Sequence, residues 1–303
     1  MAAMAEDSGK GSPEERFHDY HAEAHVLSGD LQRPVEQKIE RHSPVVLKDR
    51  RGGHLTRFAD KVNIEGLISF ASGHTRVSGS RSLKHKGWLT LSTATVQGLN
   101  VFEIITADRL VSQVSTDHPY KEGHEPQVSF LGTQFQNLQV SGFRAELTLN
   151  FGICGERPAD DRPYFRSPKF LDSVKTQTET FAKASGLPSE LKAGYDEKLK
   201  YIETLIKACD KPDNGLHKPV TCSLVEKIGS IPIAGVQSFG NVLLIPEFGS
   251  VTLGEIEVSE VLREGYKRPA VHFELTCVRM KLGCVGQGTV AGATTKSNGQ
   301  TYP

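Results

Sequence analysis

The 303-residue sequence lacks a hydrophobic run of about 18 residues, so we expect no transmembrane helix and no membrane partner. Residues 1–16 contain no apolar core of a secretory signal and are typical of a polar tail. The motifs GxxxxGK[ST], HExxH and GxSxG are missing as well. No catalytic residue can therefore be assigned from the sequence, and we lean toward a non-enzymatic protein without deciding the question.

Cysteine is scarce, and no two cysteines form a CxxC pair. The five cysteines are Cys154, Cys209, Cys222, Cys277 and Cys284. An odd number of widely spaced cysteines favours reduced thiols and a cytoplasmic location over a disulfide framework. The spacing supports neither a zinc site nor a redox motif, and no cofactor is predicted.

Net charge is also absent, because 36 basic side chains balance 36 acidic ones. The chain as a whole is therefore not attracted to nucleic acid or to an anionic membrane. Residues 41–100 are an exception, with ten Lys and Arg against three Asp and Glu. This basic segment keeps nucleic-acid binding as an alternative, although the balanced charge of the whole chain argues against nucleic acid as a partner.

Most of the chain alternates between apolar and polar residues, which predicts strands. The clearest example is residues 143–153, where the alternation indicates one long half-buried strand. Glycines and prolines interrupt the pattern at short intervals, as antiparallel sheets require. The predicted fold class is mainly β, with antiparallel sandwich-like sheets in two halves and an inserted α-helical hairpin.

The helical hairpin is predicted where the period changes between Pro168 and Cys209. Ser167 and Pro168 are typical of a helix start, and Phe170, Val174 and Phe181 fall on one helical face. We expect a connector that packs on the sheets, with a partner-binding helix pair as the alternative. The predicted organisation is a polar tail (1–16), a β-rich half (17–155), a linker with the hairpin (156–215), a second β-rich half (216–286) and a flexible tail (287–303).

Residues 18–25, HDYHAEAH, contain three histidines at a spacing that would form a metal platform on a helix. Apolar residues alternate with the polar ones, however, at Tyr20, Ala22, Ala24 and Val26. We therefore predict a strand, followed by a turn near Ser28 or Pro34 and a second strand. On a strand His18 faces away from His21 and His25, so the three cannot share one metal ion.

A candidate metal site is formed by Asp117, His118 and His124, which we place in a loop between strands. Imidazole and carboxylate groups can ligate a metal ion or act as acid and base, and binding residues concentrate on loops. The alternative is a solvated polar turn.

A candidate ligand site draws on the basic segment. It comprises Arg50, Arg51, Arg81, Lys84 and Trp88. Basic loops at one end of a sandwich can hold phosphates while an aromatic ring stacks on a base. The alternative is a solvated rim neutralised by acidic residues elsewhere.

Three functional hypotheses follow. The first is a cytoplasmic β protein that binds an unknown protein partner or itself. The second is a metal- or small-ligand-dependent enzyme that uses loop residues 117–125. The third is nucleic-acid binding through residues 41–100, which predicts a steep dependence of affinity on salt.

Overall fold

The computed structural model describes residues 17–82, 86–120, 125–159, 162–210, 215–262, 269–283 and 286–301. Within these ranges the chain is mainly β, with two α-helices, and the sheets are antiparallel, as predicted. No helix among them is long and apolar enough to cross a membrane.

The strands of the first half and the helices have the following bounds. They are β1 (His18–Arg33), β2 (Gln37–Ile39), β3 (Val45–Asp49), β4 (Gly53–Ala59), β5 (Val62–Ile64), β6 (Ile68–Phe70), β7 (Ser72–Ser82), β8 (Gly87–Val101), β9 (Ile105–Pro119), β10 (Gln127–Ser129), β11 (Gln134–Gln136), β12 (Gln139–Val140), β13 (Phe143–Arg144), β14 (Leu147–Leu149), α1 (Pro168–Ala182) and α2 (Ser189–Ala208). A short 3-10 helix, Tyr164–Arg166, precedes α1.

Seven strands follow the helices. They are β15 (Val220–Ser223), β16 (Val225–Ile228), β17 (Gln237–Phe239), β18 (Val242–Ile245), β19 (Gly249–Val261), β20 (Ala270–Leu282) and β21 (Gln287–Thr301).

Two large sheets contain most of these strands. In sheet 1 the order is β17-β18-β19-β20-β21-β1-β2, with β15 on β19 and β3 on β1. In sheet 2 the order is β13-β12-β9-β8-β6-β5, with β10 and β11 on β9, and with β7 between β8 and β4. Sheet 1 therefore combines strands from both predicted halves of the chain. The division into halves stays a prediction.

The two sheets pack face to face, with β1 and β21 against β7, β8 and β9. The strand predicted from HDYHAEAH is confirmed as the start of β1, and its even-numbered residues Tyr20, Ala22 and Ala24 are buried between the sheets. The space between the sheets is narrow in places. At Gly79 an added Cβ would lie 2.5 Å from the Tyr20 ring, so only glycine lets β7 approach β1 this closely.

The helical hairpin is confirmed, and it covers a second apolar core. Phe170, Val174 and Phe181 of α1 are buried, as their spacing predicts. Phe170 and Val174 share this core with side chains from both sheets, including Val114 of β9 and Phe273 of β20. α1 ends at Ala182, and Gly186 lies in the connection to α2 with a φ of 75°, a backbone conformation that glycine adopts without strain.

Two sequence predictions are wrong in detail. Residues 143–153 form two short strands, β13 and β14, because β13 closes a hairpin with β12 and β14 pairs only with β16 among the described strands. The predicted flexible tail is instead β21, which lies between β20 and β1 in sheet 1. Of the two turn positions that the sequence allows after the first strand, the structure has the one at Pro34, since β1 continues through Ser28 to Arg33.

Candidate functional site

The described members of the two candidate sites lie at one end of the sandwich. Strand pairing places Tyr20 opposite Asp49, just before Arg50 and Arg51. It also places Trp88 opposite both His118 and Arg81. The start of β1 is thus the centre of this end, with its even-numbered residues facing sheet 2 and its odd-numbered residues facing outward.

An aromatic cluster fills the inner side of this end. The His18 ring stacks on Trp88 with centroids 5.3 Å apart and lies 4.6 Å from the His118 ring. Trp88 in turn contacts the Tyr120 ring edge-on at 4.7 Å. The Arg81 guanidinium lies over Tyr120 at 4.8 Å and donates a 3.0 Å hydrogen bond to its hydroxyl. Within this cluster the rings of His18, Trp88 and His118 are buried, whereas Arg81 is exposed.

The outer side carries a polar row across sheet 1. His21 pairs in register with Lys48 on β3, and β21 separates His21 from His272 on β20. The two imidazoles meet edge to face, with centroids 5.2 Å apart, and both residues are buried. Two histidines that are far apart in sequence are therefore neighbours on the sheet.

An open cleft of about 730 Å³ adjoins this row. We call it the histidine cleft, and its polar lining is Asp19, His21, Lys48, Asp49, Arg50, Arg51 and His272. Arg50 is held by a 2.9 Å ion pair with Asp19. The Arg51 side chain forms no ion pair within the described ranges, so its guanidinium is available to a ligand.

Glu23 lies one step along β1 from His21, on the same outer face. His21 Nε2 and Glu23 Oε1 are 2.7 Å apart, and Lys48 Nζ lies 3.7 Å from the same carboxylate. The hydrogen bond with His21 and these charges lower the pKa of Glu23 to about 2. A carboxylate hydrogen-bonded to an imidazole fixes the orientation of the ring.

The charged row next to His21 continues over the sheet. Register places Glu23, Lys296, Glu274 and Glu257 side by side on β1, β21, β20 and β19. Burial raises the pKa of Glu274, and the nearby Glu257 acts in the same direction. Burial lowers the pKa of His25, further along β1, to about 4. The outer face of sheet 1 therefore carries two carboxylates, Glu23 and Glu274, whose pKa values are shifted in opposite directions.

The predicted metal residues are only partly described. Asp117 and His118 lie in β9 rather than in a loop, which corrects the prediction, because β9 continues to Pro119 beside β8. As neighbours on a strand they point to opposite faces. His124 lies outside the described residues. Within the described ranges no group of three His, Cys, Asp or Glu side chains is arranged to hold a metal ion. A metal site that includes His124 stays a prediction.

The predicted ligand residues divide between the two sides of the sandwich end. Arg50 and Arg51 line the histidine cleft. Arg81 lies in β7 rather than in a loop, and Trp88 is buried against His18, so neither lines that cleft. Lys84 lies outside the described residues. Their joint role in ligand binding stays a prediction.

Sequence reasoning missed His272, Lys48 and Asp19 as members of one site. His272 stands in an ordinary strand pattern, and nothing local connects it with His21. Only the order β20-β21-β1 brings the two rings together. The sequence does contain one signal for this site, because the strand predicted for β1 places His21 on its polar face.

Fold and site together define an antiparallel β-sandwich with a helical hairpin at one edge and a polar cleft at one end. The sequence model of one protein family matches residues 18–259, which is most of the chain. The chain therefore belongs to that family, described as Domain of unknown function (DUF8256). Comparison with curated proteins and with solved structures finds no match.

Proposed function

We propose that this protein binds a small anionic molecule, carrying phosphate or carboxylate groups, in the histidine cleft. The observation that supports this most is the convergence of Lys48, Arg50 and Arg51 on one opening beside two imidazoles. A cleft of about 730 Å³ has the size of a small-molecule site. Guanidinium groups match the geometry of carboxylate and phosphate oxygens.

Arg51 is the residue expected to contact the ligand first. Lys48 is attracted to Glu23, and Arg50 is committed to Asp19. Arg51 stands at the turn between β3 and β4, where the Asp49 carboxylate accepts a hydrogen bond from the Arg51 backbone N–H. Gly52 completes the turn with a φ of 77°, and an added Cβ there would overlap the Gly79 carbonyl oxygen. A fixed turn positions the Arg51 side chain without the entropic cost of ordering a loop.

Calorimetric titration at low ionic strength tests the proposal, with inorganic phosphate and citrate as probes. We expect Arg51→Ala to lower the affinity for the tighter-binding probe about tenfold, because one charge-assisted contact is lost. The matched control is Arg57→Ala, on the exposed strand β4 and outside the cleft. Absence of binding by either probe, or equal affinities of the Arg51 and Arg57 variants, would contradict the proposal.

The same titration with a single-stranded oligonucleotide separates small-anion binding from nucleic-acid binding. The basic residues of segment 41–100 are spread over both sheets, and the aromatic ring expected to stack on a base is buried. We therefore expect the oligonucleotide to bind no more tightly than citrate. A tighter, steeply salt-dependent oligonucleotide complex would favour the nucleic-acid hypothesis instead.

Self-association is a second candidate function, favoured by strand β4. Among the described strands β4 pairs only with β7, so its other edge is unpaired. It also exposes Leu55 and Phe58, with 74% of Phe58 accessible. An exposed apolar edge strand is a template for pairing with another chain. Light scattering tests this: a dimer that Phe58→Lys converts to a monomer supports it, and a wild-type monomer at high concentration rejects it.

The cytoplasm is the location we propose. Cys154, Cys209, Cys222 and Cys277 are free and buried, which fits a reducing compartment. Subcellular fractionation of the native protein tests this, and recovery of the protein with intermolecular disulfides would contradict it.

A further inference from the structure

A gap separates the first half of α2 from sheet 1. In α2 only Ile202 and Leu205, both in its second half, are buried. Two cavities, of about 310 and 250 Å³, lie between the helix and β15. They share Gly194, Lys198 and Thr221, so Lys198 stands where one cavity meets the other. Neither shares a lining residue with the histidine cleft.

Lys198 carries a cationic group into this gap without a counterion. Within the described ranges no carboxylate lies within 4 Å of its amine, and the nearby Glu255 is paired with Arg279 at 2.8 Å. Burial lowers the pKa of Lys198, while Cys222 and Glu255 act in the opposite direction. A lysine placed in this way holds more of the neutral, nucleophilic amine than an exposed lysine does.

Tyr195 supplies a second polar group at the same place. Its hydroxyl is buried and makes no hydrogen bond in the part of the chain that the structure describes. Because Tyr195 precedes Lys198 by three residues on α2, both side chains lie on one face of the helix. The remaining wall of the 250 Å³ cavity includes the apolar residues Phe181, Leu191 and Val242.

Gly194 keeps the two cavities connected. An added Cβ at this position would meet nothing within 4 Å, so the missing side chain leaves real space. Glycine is unfavourable inside a helix, and alanine would fit there. Because Gly194 lines both cavities, a larger side chain at this position would take up part of the open space beside Lys198.

We propose that Lys198 is a reactive amine that forms an imine with a small aldehyde bound between α2 and β15. The neutral amine attacks the carbonyl carbon, and the carbonyl oxygen takes a proton to give a carbinolamine. Loss of one water molecule then forms the C=N bond, so no oxidant or reductant is consumed. Tyr195 donates the proton to the oxygen and recovers it through solvent. The other titratable groups that line the two cavities are Glu190, Glu197, Tyr201, Lys218, Cys222 and Glu255.

Reductive trapping tests this inference on the full-length protein. The protein is incubated with benzaldehyde and sodium cyanoborohydride, which reduces an imine to a stable secondary amine, and labelled lysines are located by peptide mass spectrometry. The internal control is Lys200, which is exposed on the same helix. We expect Lys198 to be labelled roughly tenfold faster than Lys200, with a rate that saturates as benzaldehyde is raised.

Two variants distinguish a bound aldehyde from general lysine reactivity. Gly194→Leu fills the gap and should reduce labelling of Lys198 to the rate of Lys200, and Gly194→Ala should retain it. Tyr195→Phe should slow the labelling of Lys198 alone. Equal rates at Lys198 and Lys200, or a rate at Lys198 that rises linearly without saturation, would overturn the inference. Circular dichroism of each variant confirms that the hairpin is folded before rates are compared.

Discussion

Replacing Glu23 with glutamine removes the carboxylate that pairs with His21 at 2.7 Å beside the histidine cleft. The pKa of Glu23 falls from 4.5 to about 2 in the folded protein. A fall of that size corresponds to about 3 kcal/mol of stability at neutral pH. The side chain stays 24% exposed, and solvent screening lowers the expected loss to about 2 kcal/mol.

The pH dependence of this loss is the sharper part of the prediction. Because the folded-state pKa lies below the unfolded value, the stabilisation is complete above pH 4.5 and disappears as the pH falls toward 2. Urea unfolding at several pH values should therefore show a penalty for Glu23→Gln that shrinks in acid. Glu40→Gln is the matched control, since Glu40 is paired only on the surface and should cost less than about 0.5 kcal/mol. A penalty for Glu23→Gln that is the same at pH 7 and in acid would refute the reasoning.

Four further predictions concern packing and titration. Gly79→Ala should destabilise the protein by about 1–3 kcal/mol, because its Cβ would lie 2.5 Å from the Tyr20 ring, and urea unfolding that shows no loss would contradict this packing. Phe170→Ala should cost about 3–5 kcal/mol in the same assay, since the ring is 1% exposed under the helical hairpin, and a loss below about 1 kcal/mol would show that the core is elsewhere. An NMR pH series should give His25 a pKa of about 4. The protein should lose stability as the pH falls from 6.5 toward 4, because the unfolded chain takes up the proton at a higher pH than the folded one does. Burial raises the pKa of the Cys277 thiol, so this cysteine should react with a thiol reagent only after the protein unfolds. Rapid labelling of Cys277 in the native protein would contradict its burial.

The sequence predicted those parts of the fold in which the pattern is local. The alternation in HDYHAEAH predicts β1 correctly, because each apolar residue there faces the other sheet. The spacing of Phe170, Val174 and Phe181 predicts the buried face of α1 in the same way. Alternation alone failed at residues 143–153, because it does not show that β13 pairs with β12 in one sheet while β14 pairs with β16 in another.

The C-terminal strand β21 was missed because its residues are small and polar. Its inward hydroxyls are satisfied by distant partners, with Thr295 bonded to Ser112 and Ser297 to Thr116. Buried hydroxyls of this kind fit a narrow space between two sheets and satisfy their hydrogen bonds there. Their burial depends on residues far away in the chain, which composition alone does not indicate.

The candidate site was predictable only in part for the same reason. Arg50 and Arg51 stand out in the sequence because they flank a glycine turn in a basic segment. His272 does not, since its relation to His21 follows from the strand order of sheet 1 rather than from spacing. Trp88 is buried against His18 in the sandwich end, and its role in ligand binding stays a prediction.

The most direct test of the proposed function is an NMR titration of the isotopically labelled protein with inorganic phosphate and then citrate. The account predicts that the largest backbone shift changes occur around Asp19, His21, Arg51 and His272, and that Arg51→Ala diminishes all of them together. Changes centred on another surface, or no change at concentrations of about 10 mM where weak anion sites fill, would contradict anion binding in the histidine cleft.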